Sequence, residues 1–454
     1  MSDLSELSIS GRVVQPGDAD WDEARLAWNL VVDQRPAAVA LVRSADDVAS
    51  VVRFAAAHEL RVTAQRTGHG APPLGSLQDT LLIKTEAMRS IEVDREARTA
   101  RIEGGALSGE LGAAAQAAGL CALPGFSSTV GVVGYTLGGG LGWLGRRYGF
   151  SCNRVSAIEL VTAAGERRTV DAETDADLFW ALRGGGGNYA VVTALQLDLV
   201  PVSELYAGAL IFPAELGAEA IRGYRDWAAG VPDEVTSTVR FLNLPPLPEV
   251  PEPLRGRALL TVGAAVIGSQ ADGERTIAPL RELGEPILDT FAQIPAAGLT
   301  QINMDPDGPA PGVANHDLID ALPDEAIDAF VGVAGPQAGP SLLLSTELRQ
   351  LGGALGRGAP EAGALAKLDA GFVVNAVGVP TAPEQREAID ADLDRLQDAI
   401  GPWRSDGGYI NFADRPCDLD AIFAPEVCER LREVGHRWDP DGLIRGTHVL
   451  GIDA

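Results

Sequence analysis

The sequence predicts an α+β chain of two or three domains, with helices covering an antiparallel sheet in its middle third. Three observations lead there. A length of 454 residues, 46% of them hydrophobic, exceeds what one core usually organises. The composition shifts twice, at Pro201-Val202 and again near residue 401, which divides the chain into 1–202, 203–400 and 401–454. Between those shifts, strand-like runs at 205–211, 235–242, 259–267, 342–348 and 372–379 are interspersed with helical segments near 214–229, 270–283, 323–333 and 383–399.

In the first third, residues 37–42 read as a strand. Ser44-Ala-Asp-Asp then caps a helix whose apolar face carries Val48, Val51, Val52 and Ala55. Strands at 60–64, 81–84 and 100–103 surround the loop Gln65-Arg-Thr-Gly-His-Gly70. Residues 106–118 are alanine-rich and helical, and Gly119 stops them. The stretch from Gly131 to Gly149 holds too many glycines for an ordinary helix or strand interior. A hairpin follows around Ala-Ala-Gly, then a short helix from Asp177, four glycines at 184–187, and a strand from Asn188. In the middle third, Pro245 to Pro253 is a stiff connector and 304–315 reads as a loop.

The formal charge of −27, with 63 acids against 36 bases, repels nucleic acid and anionic lipid, so neither is expected as a partner. No apolar run reaches the length of a membrane span, and MSDLSELSISGR shows no secretory signal. Cys121, Cys152, Cys417 and Cys428 have no metal spacing, so reduced thiols in a cytoplasmic protein are expected, with no metal.

Glycine lacks a Cβ, so glycine-rich backbone approaches a ligand closely and points several amides at one anion. A long phosphate-bearing cofactor suits the 131–149 stretch, and His69, between Gly68 and Gly70, is the candidate for chemistry beside it. A loop histidine that only hydrogen-bonds is the alternative.

These residues resemble a known family. Pro16-Gly-Asp-Ala-Asp, Arg35-Pro, Gly68-His69, Thr136-Leu-Gly-Gly-Gly and Leu178-Phe-Trp-Ala-Leu-Arg-Gly-Gly-Gly-Gly-Asn-Tyr, with Tyr409-Ile-Asn411, Trp438-Asp-Pro, Arg445 and His448, occur in its order and spacing. The chain is similar to the berberine-bridge-enzyme-like FAD-linked oxidases, within the vanillyl-alcohol oxidase and p-cresol methylhydroxylase superfamily. The resemblance implies a two-part FAD-binding domain of the p-cresol methylhydroxylase type (1–202 and 401–454), with a substrate domain (203–400) inserted between. It implies a covalent bond from His69 to the flavin. The family's Arg-Gly-Gly-Gly-His stands here as Arg66-Thr67-Gly68-His69, followed by Gly70. Many relatives add a second bond from a cysteine, but Ser127 stands in its place, so a single link is expected. Val130, Gly131, Val133 and Gly134 lie along the same cofactor stretch; Val133 replaces a common glycine and Tyr135 a common histidine. Val132 matches a position linked to oxygen access and resembles the oxidases. Gly138, Gly139, Gly140, Leu144 and Gly149 would cradle the pyrophosphate, and Gly187, Asn188 and Val192 the adenosine end.

The resemblance further implies that Tyr409, with Asn411, serves near the flavin as base or substrate anchor. A tyrosine packed on the ring edge is the competing reading. A free tyrosine has a pKa of about 10, so a base there needs a nearby cation or the oxidised flavin. Asn375, a lone polar residue in an apolar strand, is a third catalytic candidate. Glu347 and Arg349 share a strand face, and a surface salt bridge is the reading adopted for them. His316 is placed in a loop. His448 matches a position near the cofactor, with Thr447 and Val449 where asparagines are usual. The expected function is oxidation of a small or medium alcohol, amine or phenolic metabolite by hydride transfer to flavin N5, with oxygen as acceptor and peroxide as product. A dehydrogenase with another acceptor, an oxygenating or ring-closing flavin enzyme, and a non-enzymatic flavin binder are the alternatives. The chain is expected as a monomer or homodimer.

Overall fold

The computed structural model describes residues 4–448 apart from Glu249, Pro306 and Pro340; Val449 and the rest of the C-terminal segment lie outside the described residues. The first sheet comprises β1 (Arg12–Val14), β2 (Ala38–Leu41), β3 (Arg61–Gln65) and β4 (Thr80–Lys84), in the order β1-β2-β4-β3. β2, β4 and β3 are parallel. β4 is central and buried along its whole length, as a parallel strand covered on both faces must be. The helix Ala45–Ala57 packs Val48, Val51 and Val52 onto Val62, Leu81 and Ile83, and Ser44 Oγ caps it by accepting the Asp47 N–H at 3.2 Å.

The far end of the chain closes this sheet. Val62 N–H donates to Leu443 O at 2.9 Å, and Arg445 N–H donates to Val62 O at 2.8 Å. The buried Asp439 carboxylate accepts the N–H groups of Leu443 (2.9 Å) and Ile444 (2.6 Å), which fixes the approach of that segment.

A second, antiparallel sheet is built from β5 (Ile91–Asp94), β6 (Thr99–Glu103), β7 (Val155–Thr162), β8 (Arg167–Val170) and β9 (Ala190–Asp198), ordered β5-β6-β9-β7-β8. The glycine stretch lies between β6 and β7. It is not wholly irregular: a short helix, Val132–Leu137, forms where Gly134 is the only glycine, and the denser glycines follow it.

The third sheet has eight antiparallel strands: β10 (Glu204–Pro213), β11 (Val235–Asn243), β12 (Ala258–Val266), β13 (Leu288–Asp289), β14 (Ala292–Pro295), β15 (Val313–Ile319), β16 (Leu343–Gln350) and β17 (Phe372–Gly378). Its path is β13-β10-β12-β11-β16-β17-β15, with β14 also on β10. Side-chain alternation splits its faces. Val239, Leu348 and Val374, neighbours across β11, β16 and β17, pack with Tyr224, Ile327, Phe330 and Leu393 of the covering helices. One residue along, the opposite face is polar. β15 begins inside the stretch expected to be a loop, because Asn315, His316 and Asp317 hide its alternation. Among the described residues no helix is long and apolar enough to cross a membrane.

Candidate active site

A cavity of about 580 Å³ lies between the first two sheets and the polar face of the third. His69 stands on its wall, after β3 has ended and Gly68 has turned the chain at φ +87°. A side chain at Gly68 would press on Ala27 and Gln65 at 2.8 Å, so glycine is required on two counts. The imidazole stacks on Trp28 with ring centroids 4.0 Å apart and shares a 2.8 Å hydrogen bond between Nδ1 and Thr67 Oγ1. Thr129 Oγ1 lies 3.4 Å from Nε2. Burial lowers the His69 pKa to about 4, so the ring is neutral at pH 7, the form in which its nitrogen has a free lone pair.

The glycines divide into two kinds. Gly134 and Gly187 line the cavity, and a Cβ there would meet nothing within 4 Å at 134 and only Leu137, at 3.8 Å, at 187. It would project into the trough a ligand must fill. Gly138 also lines it, but a Cβ there would fall 1.9 Å from Asn411 Oδ1. Gly139 and Gly140 do not line it. They admit packed side chains: a Cβ at 139 would meet Leu365 at 2.5 Å and the Tyr409 ring at 3.1 Å, and one at 140 would meet Ser151 at 2.4 Å and the Tyr135 ring at 2.9 Å.

Tyr409 is 1% exposed. Its hydroxyl accepts the Leu141 N–H at 2.8 Å and the Asn411 amide at 3.1 Å, while its own N–H donates to His316 Nε2 at 2.8 Å. Burial raises its pKa to about 12, and among the described residues no cation bonds to its oxygen. As placed, it is a neutral phenol that positions neighbours. Asn411 also donates to Tyr135 O at 2.8 Å, tying the Tyr-x-Asn turn to the glycine stretch.

The third sheet carries a row of polar side chains, of which Arg240, Glu347 and Asn375 line the cavity. Thr261, Arg240, Glu347, Asn375 and His316 are directly paired across β12, β11, β16, β17 and β15, and directly opposed residues share a face. Arg240 Nε donates to Thr261 Oγ1 (3.1 Å) and Nη2 to Asn303 O (2.9 Å). Arg349 Nε donates to Glu347 Oε1 at 2.6 Å, and the two residues are 4% and 3% exposed. The surface salt bridge expected from sequence is therefore a buried pair on the cavity wall; the alternation was right, but the face it shares is internal. Isolated pairs of this kind add little stability against an apolar substitute, while removing one partner costs about 3–5 kcal/mol. A cavity position suggests a use other than stability.

Buried polar atoms also wait along the trough: Trp28 Nε1 and both side-chain polar atoms of Gln65 line it without protein partners. Such groups, with glycines that a Cβ would obstruct, fit a long polar cofactor.

The chain matches the FAD binding domain family over residues 36–171. It is 29% identical to (R)-6-hydroxynicotine oxidase of Paenarthrobacter nicotinovorans, over 98% of this chain and 97% of that one. The solved 6-hydroxy-D-nicotine oxidase of Arthrobacter nicotinovorans superposes with a TM-score of 0.84 at 26% identity, covering 98% of each chain. The chain thus carries an FAD binding domain and is similar along nearly its whole length to FAD-linked oxidases. A glucooligosaccharide oxidase of Acremonium strictum, solved with a 6-S-cysteinyl, 8α-N1-histidyl FAD, shares the fold at TM-score 0.81 and 22% identity, covering 98% of this chain and 97% of that one. The α+β, p-cresol-methylhydroxylase-type architecture is thus that of this oxidase.

Of the residues singled out in the sequence, the oxidase brings Arg66, Thr67, Gly68, His69, Gly70, Ser127, Val130, Gly131, Val133, Gly134, Gly138, Gly187, Val192, Asn375, Tyr409 and Asn411 to one cavity. Besides Gly139 and Gly140, four others do not line it. Leu144 packs in a core cluster with Trp143 and Cys121, and Gly149 ends a short helix at φ +80°. Asn188 accepts the Gly446 N–H and donates to His448 O, both at 2.9 Å, so it pins the C-terminal segment. Val132, expected near oxygen's path, is buried in a core cluster. His448, by contrast, lines the cavity, and His316 lies on β15 with Nδ1 3.0 Å from Phe412 O. Sequence reasoning missed Trp28, Gln65, Phe126 and Arg240; only the polar break in an apolar strand hinted at Arg240.

Proposed function

We propose that this flavoenzyme carries FAD on a single covalent bond to His69 and oxidises a small or medium alcohol, amine or phenolic metabolite. In this reading 1–202 and 401–454 hold the cofactor, and 203–400 faces the substrate. The observation that carries it is the setting of His69: a neutral imidazole held by Trp28 and Thr67 on the wall of a glycine-lined trough. Ser127, also on the cavity, offers a hydroxyl where relatives use a thiol, which supports one link instead of two.

FAD, when bound, supplies a hydride acceptor at N5 that oxygen restores with release of hydrogen peroxide. The chain's own groups do the rest. Gly134, Gly138 and Gly187 let backbone approach the cofactor, and Gln65 and Trp28 Nε1 offer it hydrogen bonds. Tyr409, with Asn411, fixes the cavity wall. Glu347 is the group placed to take the proton from the substrate heteroatom: Oε1 is held by Arg349, and Oε2 has no protein partner among the described residues. Asn375, directly across from Glu347, would orient the substrate.

Mixing the purified protein with a panel of alcohols, amines and phenols tests this. A substrate that bleaches the flavin without air and yields peroxide in air is expected. Bleaching without peroxide would replace the oxidase by a dehydrogenase.

A further inference from the structure

We infer that Arg349, seconded by Arg240, anchors the carboxylate of an aromatic acid substrate. The inference deepens the oxidase reading above and rests on it. Arg349 is 4% exposed and lines the cavity, yet its Nη1 is buried with no hydrogen-bond partner among the described residues. Among them, Nε is its only nitrogen with a protein hydrogen bond, to Glu347. Phe126 covers the guanidinium face at 3.5 Å, and the Phe412 ring lies 5.0 Å away. Rings take the faces of a guanidinium, so any polar ligand must meet its planar edge. With the Nε side of that edge occupied, the terminal nitrogens are left for a flat, two-oxygen acceptor. That is the shape of a carboxylate.

Arg240 stands on the same wall. It is paired across the sheet with Glu347, and Nε and Nη2 are held by Thr261 and Asn303 while Nη1 has no protein bond among the described residues. Glu347 sits between the two guanidiniums, and among the described residues the only other acid near both, Asp305, lines the same cavity with its pKa raised by burial, which disfavours its charged form. A buried donor without a partner is a standing cost that a bound acceptor removes. The rest of the ligand would meet Leu344, Val377 and Phe412, an apolar and aromatic lining suited to a ring.

The test is calorimetric titration of the flavin-loaded protein with benzoate, benzamide and benzylamine. Benzoate should bind, benzamide about tenfold or more weakly, and benzylamine not measurably. Arg349→Met should weaken benzoate by about tenfold or more, and Arg349→Lys should restore part of it. Because Arg349→Met strands a buried acid, E347Q/R349M is measured beside it and should show the same loss. Benzoate binding unchanged in either folded variant, or benzylamine bound in preference to benzoate, overturns the inference. Visible flavin colour is read separately. A colourless chain that still binds benzoate through Arg349 would sink the oxidase reading alone, and a yellow chain indifferent to benzoate would sink this one alone.

Discussion

The two walls of the cavity are made in different ways. The cofactor wall is backbone: Gly134, Gly138 and Gly187 face the trough, and His69 is held there by a loop that only glycine at 68 can turn. The opposite wall is side chains on a rigid sheet, with Arg240, Glu347 and Asn375 side by side at strand spacing. A backbone wall suits a ligand that never changes, whereas exchanging one side chain on a strand alters selectivity without disturbing the fold.

The contrast can be broken most forcefully on the side-chain wall. Glu347→Gln should slow anaerobic flavin reduction by about 10²–10⁴-fold while leaving flavin content unchanged. Stopped-flow absorbance reads the rate, and an unchanged rate would remove Glu347 from the chemistry.

Acid should act through a buried histidine of the large sheet. His316 has a pKa near 4, against 6.5 for the free ring, chiefly because burial disfavours its charged form. Between pH 6.5 and 4 the unfolded chain takes up protons that the folded one refuses, so stability falls as pH falls through that window. His316 contributes on the order of 3 kcal/mol across it. The melting temperature of the wild type should drop from pH 7 to pH 4, and His316→Gln should flatten the slope.

On the backbone wall, Gly138→Ala should lose flavin and cost about 1–3 kcal/mol, since its Cβ would overlap the Asn411 amide. Flavin absorbance per chain and chemical denaturation read the two effects. The smallest effect is the control. Gly332 sits inside the helix Asp324–Ala334 with nothing within 4 Å of a Cβ, so Gly332→Ala should stabilise by about 0.5–1 kcal/mol with full flavin content.

The same contrast explains what the sequence revealed. A backbone that must approach a ligand leaves glycines in place, and these cannot be disguised; the 131–149 stretch and Gly68-His69 were legible for that reason. Even there, glycines that line a trough look the same as glycines that admit a ring, so Gly139 and Gly140 were placed on the wrong side of the wall. The strands of the large sheet were also legible, from their apolar runs. Strand alternation shows that Glu347 and Arg349 share a face but not whether that face meets solvent or a second domain. The pair was therefore assigned to the surface. Trp28 carries no motif, and Gln65, though it opens the Gln-Arg-Thr-Gly-His-Gly loop, shows its buried amide only once the chain is folded.

The account stands most directly on the bond at His69. The purified protein should be precipitated with acid, and the pellet digested and analysed by mass spectrometry. A yellow pellet, with flavin on the peptide containing His69, is the result expected. Colour released wholly to the supernatant would contradict it.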